Sequence, residues 1–192
     1  MWDDEDDEDF DPEEAQRQLE EERKRVENLP ITKKADEIFN LVNALTESIR
    51  SFQLPEDVED RDIRQTMLEQ EAGFMFEDAI IIRAKVRGAE GGGLYTLRME
   101  KATLIKIHAR NLLTQTTALR MEGYPNKDYL KLLRDEIENF RLIFIDWVNS
   151  FDKDDDIPDG WGLFYDPNKK YTRYGEDDET RQPPQETDDD DL

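Results

Sequence analysis

Met75 to Thr116 reads MFEDAIIIRAKVRGAEGGGLYTLRMEKATLIKIHARNLLTQT. Apolar residues recur at Met75, Ala79, Ile82 and Val86, three or four apart, so the first half presents one helical stripe. The run stops at Ala89-Glu90-Gly91-Gly92-Gly93, and a second helical pattern opens at Leu94. Three glycines permit left-handed backbone at a helix end, so this stretch predicts two helices closed into a hairpin.

The flanking sequence predicts helices that cover this hairpin. A first core helix runs from Thr32, a capping residue just after Pro30, to Ser51, with Ala35, Ile38, Phe39, Val42, Leu45 and Ile49 along one side. Leu54-Pro55-Glu56-Asp57 breaks it. The second runs from Arg61 to Ala89 and adds Ile63, Met67 and Ala72 to its stripe. Gly73, inside it, costs about 1 kcal/mol relative to alanine. The third runs from Leu94 to Met121, with Leu97, Leu104, Ile105, His108, Leu112, Gln115 and Leu119 on one side. Gly123-Tyr124-Pro125-Asn126 ends it, and Asp128 caps a fourth helix carrying Tyr129, Leu133, Ile137, Phe140, Phe144 and Trp147. Ile143 and Val148 widen that last apolar arc, which predicts either a central position or self-association. With no strand signal, the expectation is an all-α chain: an antiparallel up-and-down four-helix bundle over residues 30–151.

Charge divides the 192-residue chain into three parts. The net charge of −23 splits into −10 for residues 1–29, −3 for residues 30–151 and −10 for residues 152–192. Both ends therefore read as acidic tails around a nearly neutral domain. The first begins with seven acidic residues, Asp3 to Asp9; then Asp11-Pro12-Glu13-Glu14 starts a short helix to about Glu27. Its apolar positions, Ala15, Leu19 and Val26, are too few to bury firmly, so weak docking is expected. The second tail is expected to be disordered from about Lys169, and it contains an aromatic island, Trp161-Gly162-Leu163-Phe164-Tyr165. Trp161, Phe164 and Tyr165 either fold back on the bundle or meet a partner.

The pattern Ala79-Ile80-Ile81-Ile82-Arg83-Ala84-Lys85-Val86-Arg87-Gly88-Ala89-Glu90-Gly91 resembles the four-helix-bundle family of the large-subunit ribosomal RNA intervening-sequence protein. That family includes the accessory variability protein of diversity-generating retroelements. The resemblance extends over Ala35 to Val148, and it implies an antiparallel four-helix bundle, commonly a ring-like homopentamer, without enzyme activity. In the retroelement branch it implies binding of a reverse transcriptase and of nucleic acid through basic surfaces. The acidic tails and nearly neutral middle of this chain depart from that pattern.

Candidate chemistry is sparse. The chain has no cysteine, which removes disulfides and thiolate sites and fits a reducing compartment. His108 is the sole histidine, and Ile105 stands where a di-metal bundle places the glutamate of Glu-x-x-His, so a hydrogen-bonded core histidine is expected. Glu71 and Asp78 are expected to pair for acid/base work or to meet Arg98 and Lys101 across the hairpin, salt bridges being the commoner case. The Gly91–Gly93 run lacks the preceding strand and following Lys-Ser/Thr of a phosphate loop. Asp152-Lys153-Asp154-Asp155-Asp156 has the alternation of a calcium loop, but Ile157 replaces its glycine and Leu163 its terminal glutamate, leaving weak divalent-ion binding at most. Arg83 and Arg87, with Arg98, Lys101, Lys106 and Arg110, form a basic set near the hairpin, either solvated helix surface or contacts for phosphate or a partner.

No catalytic residue, cofactor or metal site emerges, and no apolar run approaches the roughly 18 residues of a membrane span. The expectation is a cytoplasmic, non-enzymatic, homo-oligomeric interaction or scaffold protein, a pentamer if the family pattern holds, whose acidic tails seek a basic protein partner. The alternative is a nucleic-acid-binding accessory protein gated by those tails.

Overall fold

The structure is a computed structural model that describes residues 11–157 together with residues 163 and 164. The acidic run Asp3–Asp9, Trp161, Tyr165 and the tail from Lys169 lie outside the described residues. Every element within them is an α-helix: α1 (Pro12–Asn28), α2 (Pro30–Ser51), α3 (Arg61–Glu90), α4 (Tyr95–Met121) and α5 (Lys127–Asn149). Among the described residues, no helix is long and apolar enough to cross a membrane.

Local chemistry sets the boundaries. Asp11 caps α1 by accepting from the Glu13 N–H at 2.9 Å, and Pro12 occupies the first turn, where its missing N–H costs nothing. Leu29 alone separates α1 from α2; its extended backbone (ψ 139) follows from the proline behind it. The second helix thus begins at Pro30, two residues before the expected start, and Thr32 is fully buried within its first turn instead of capping it. The α3–α4 hairpin also closes differently from its glycine-based expectation. Gly91 has φ −81, and the one glycine with left-handed backbone among the described residues is Gly123, at φ 96 in the α4–α5 turn.

One core joins α2 to α5. Ile38, Leu45 and Ile49 of α2 meet Leu68, Met75 and Ile82 of α3, Ile105, Leu112 and Leu119 of α4, and Leu133 and Phe140 of α5, all at 2% exposure or less. Burying each such side chain contributes on the order of 1.5–3 kcal/mol. The helix pairs in contact are α2 with α3, α3 with α4, α4 with α5, and α5 with α2; α1 lies on α2 and α3. Residue pairings give the directions. Asp36, early in α2, meets Arg87, late in α3, and Thr46 donates to the Ala72 carbonyl one end over. Arg98, early in α4, meets Glu90, while Arg64, early in α3, reaches the Met121 carbonyl. Arg134, early in α5, donates to the Leu113 carbonyl of α4 at 2.8 Å.

The expected stripes hold from Ala72 to Val86 in α3 and from Ile105 to Leu119 in α4, and depart from the core in the turns before them. Ile63 and Met67 are 58% and 43% exposed, and Leu68, which the stripe omitted, is fully buried. In α4 the core face is Ala102, Ile105, Ala109, Leu112, Thr116 and Leu119, so Leu97 and Leu104 fall on the outside.

Candidate functional site

Four of the six cations that the sequence nominated as phosphate or partner contacts are committed within the fold. Arg87 forks onto Glu27 at 2.7 and 2.8 Å and reaches Asp36 at 2.8 Å, tying α1 and α2 to the end of α3. Arg83 lies 2.6 Å from Asp36 and stacks over Phe39, with 4.9 Å from its guanidinium carbon to the ring centroid. Lys101 donates to the Gly88 carbonyl at 2.6 Å, satisfying one of the acceptors orphaned at the α3 C-terminus. The hydrogen bond from Arg87 holds the Glu27 carboxyl below its usual range. Burial pushes Asp36 up, but the hydrogen bond and charge of Arg87, with the charge of Arg83, outweigh it and hold Asp36 low as well.

Arg98 is drawn furthest inside. Its Nη2 donates to Glu90 Oε1 at 2.6 Å, and its guanidinium sits 4.0 Å from the Phe151 ring centroid. Glu90, with only 4% of its side chain exposed, also accepts from the Trp147 indole N–H at 2.8 Å and from Arg25 of α1 at 3.0 Å. A buried carboxylate persists where its lone pairs are filled, and here two guanidinium groups and an indole fill them. The cluster joins the ends of α1, α3 and α5 to the start of α4. It leaves Glu90 no free oxygen for acid/base work.

The acidic stretch after α5 is committed too. Leu94, the residue before α4, has no side chain to offer the free N–H groups of the first turn. Asp156 supplies one from outside: its carboxylate accepts from the Thr96 N–H at 3.0 Å and from the Thr96 hydroxyl at 2.9 Å. The Asp155 carbonyl accepts from the Tyr95 N–H at 2.7 Å. An anion at a helix N-terminus also opposes the positive end of the dipole. A Cβ at Gly93 would meet the Asp155 carboxylate, an exposed side-chain end that would have to turn aside. Asp152 accepts from the Asp154 N–H at 2.9 Å. The calcium-like alternation therefore serves as a turn and a cap, and no group of three or more metal-ligating side chains occurs among the described residues.

Between α3 and α4, Asp78 does not meet Arg98 or Lys101. It accepts from His108 Nδ1 at 2.5 Å, Gln115 Nε2 at 2.7 Å and Asn111 Nδ2 at 3.3 Å, all three on α4. His108 is the hydrogen-bonded histidine its setting predicted, with Asp78 as its one hydrogen-bond partner among the described residues. Glu71 makes no pair with Asp78; burial, reinforced by the charge of Glu122, pushes its carboxyl up.

Lys106 and Arg110 remain. One turn apart on α4 and both exposed, their side chains form no ion pair or hydrogen bond among the described residues. They stand on the rim of a groove of about 330 Å³ between α4 and α5. Its floor is apolar, from Ala109 and Leu113 on one side and Ile137, Phe140 and Phe144 on the other, with Ile145 at 41% exposure. Arg141, on the opposite rim, is held by Glu138 at 2.6 Å. Sequence reading found the two cations and missed the groove, since the facing residues lie more than twenty positions apart in the chain. Of the aromatic island, Leu163 is 65% exposed and Phe164 half-buried.

Comparison with protein-family models, with curated proteins and with solved structures finds no match for this chain.

Proposed function

We propose that this chain is a non-enzymatic interaction protein of the cytoplasm: an antiparallel up-and-down four-helix bundle, α2 to α5, that self-associates and docks a partner along the α4–α5 groove. The closed cycle of helix pairs and their opposed directions support the bundle. The likeness of Ala79 to Gly91 to the ribosomal RNA intervening-sequence family points the same way.

One observation carries the docking assignment. Four of the six candidate cations are neutralised or hydrogen-bonded inside the fold, whereas Lys106 and Arg110 have no side-chain partner among the described residues and stand beside an apolar trough. A cation next to apolar surface favours a partner that brings acidic and apolar side chains together, because burying the apolar part strengthens the charge pairing beside it. Light scattering on the full chain at about 0.15 M salt tests the self-association. A multimer that K106E/R110E weakens agrees with it; a monomer at every concentration refutes it.

The second reading is a nucleic-acid-binding accessory protein gated by the acidic tails, and the same two cations favour it. Two phosphate contacts on a single strand give a slope of log affinity against log salt of only about −1.4. Titration of the full chain with a mixed single-stranded pool distinguishes the two: a slope steeper than about −4 would require a basic surface beyond Lys106 and Arg110 and would favour this second reading.

A further inference from the structure

We infer that the α4–α5 groove takes the acidic, aromatic segment Asp159 to Asp166 of a second copy of this chain. The inference rests on the self-association proposed above and specifies what is exchanged. The groove offers an apolar floor of Leu113, Phe140 and Phe144 with Lys106 and Arg110 on its rim. The segment Asp159-Gly160-Trp161-Gly162-Leu163-Phe164-Tyr165-Asp166 offers the complement. Trp161, Phe164 and Tyr165 fall at i, i+3 and i+4, the spacing that one helical turn formed on docking would bring to one face, and an aspartate flanks the set on each side.

The chain leaves the fold beside the helix that carries the groove. Asp156 is fixed to Thr96 at the start of α4. From Thr96 to Leu113, on the groove floor, is about 25 Å of helix. The five residues from Asp156 to Trp161 span about 17 Å when fully extended. The groove opens nearer than that, at Lys106, about 15 Å along α4 from Thr96, so reach alone admits either a molecule's own groove or a neighbour's. The described part of the segment favours the neighbour's groove: Leu163 is 65% exposed, and neither it nor Phe164 lines the groove of its own chain. A pair of chains exchanging segments would cover the groove floor and Leu163 together. Salt near 0.15 M shortens the Debye length to about 8 Å, which screens the general repulsion between two chains of charge −23 more than the close pairs at the groove.

Sedimentation at 0.15 M salt compares four proteins: the full chain, the chain ending at Ile157, K106E/R110E, and the fourfold variant K106E/R110E/D159K/D166K, with circular dichroism to show that each is equally helical. The inference predicts a multimer for the full chain, a dissociation constant at least about tenfold weaker for the truncated chain and for K106E/R110E, and recovery of association in the fourfold variant. A multimer unchanged by removal of residues 158–192 overturns the exchange and leaves self-association standing. A full chain that stays monomeric overturns both.

Discussion

At the residue scale the most consequential side chain is Glu90, which the sequence marked only as part of a helix end. Its charge is buried, and Arg98, with 16% of its side chain exposed, depends on it; Arg25, at 49%, loses far less because water solvates it. Glu90→Gln should therefore destabilise the fold by about 3 kcal/mol, read as a lower urea midpoint with an unchanged slope. Trp147→Phe removes a single donor to the same carboxylate and should cost about 1 kcal/mol. Equal losses from the two substitutions would show that Glu90 is held by packing and not by charge. Gly123 is a second fixed point. At φ 96 any side chain is strained, so Gly123→Ala should lower stability by roughly 1–2 kcal/mol although a Cβ there meets Leu54 only at ordinary contact distance. Gly73 has open space around its Cα, and Gly73→Ala should raise stability by roughly 0.5–1 kcal/mol.

Two contrasts emerge at the element scale. The cap of α4 arrives from sixty residues away, so Asp156→Ala should cost about 1 kcal/mol and speed hydrogen exchange at the amides of the first turn of α4. Unchanged exchange there would mean that Thr96 finds its acceptor elsewhere. α1 is held by charge more than by apolar burial: Val26 is its one buried residue, and Arg25 and Glu27 pair with Glu90 and Arg87. The carboxyls of Glu27 and Asp36 are held lower in the fold than in the unfolded chain, whose ordinary carboxyl range lies at about pH 4. Their contribution is accordingly complete above that unfolded range and is lost as pH falls through the lower folded values. Glu71, held high, has the opposite sign and favours the fold as it protonates. The urea midpoint should fall between pH 5 and pH 3, and Arg87→Met should flatten that fall. A decline of equal steepness in Arg87→Met would place the acid sensitivity elsewhere.

For the whole molecule, the distribution of burial sets an order of opening. α2 to α5 share one apolar core, while α1 adds a single buried valine. Amides of residues 17–24 should exchange orders of magnitude faster than those around Ile82 and Leu112, which should open only with the global transition. Comparable protection in α1 would require a covering partner, such as a second chain.

Sequence alone determined the all-α class and nearly every helix boundary, because capping residues, prolines and three- or four-residue apolar spacing act over one or two turns. It also placed the charge, since counting needs no geometry. It placed Ala72 to Val86 of α3 and Ile105 to Leu119 of α4 on the core face but could not fix where each stripe begins: Met67 stands beside Leu68, and Leu104 beside Ile105, and packing chose the second of each pair. Nor could it say which cations are free. Arg83, Arg87, Arg98 and Lys101 read as surface until Asp36, Glu27, Glu90 and the Gly88 carbonyl came within hydrogen-bond or ion-pair distance of them. Those partners lie between 8 and 60 residues from the cations they hold. Electrostatic pairing depends on distance in space, so only the tertiary structure could leave Lys106 and Arg110 beside a groove with no side-chain partner among the described residues.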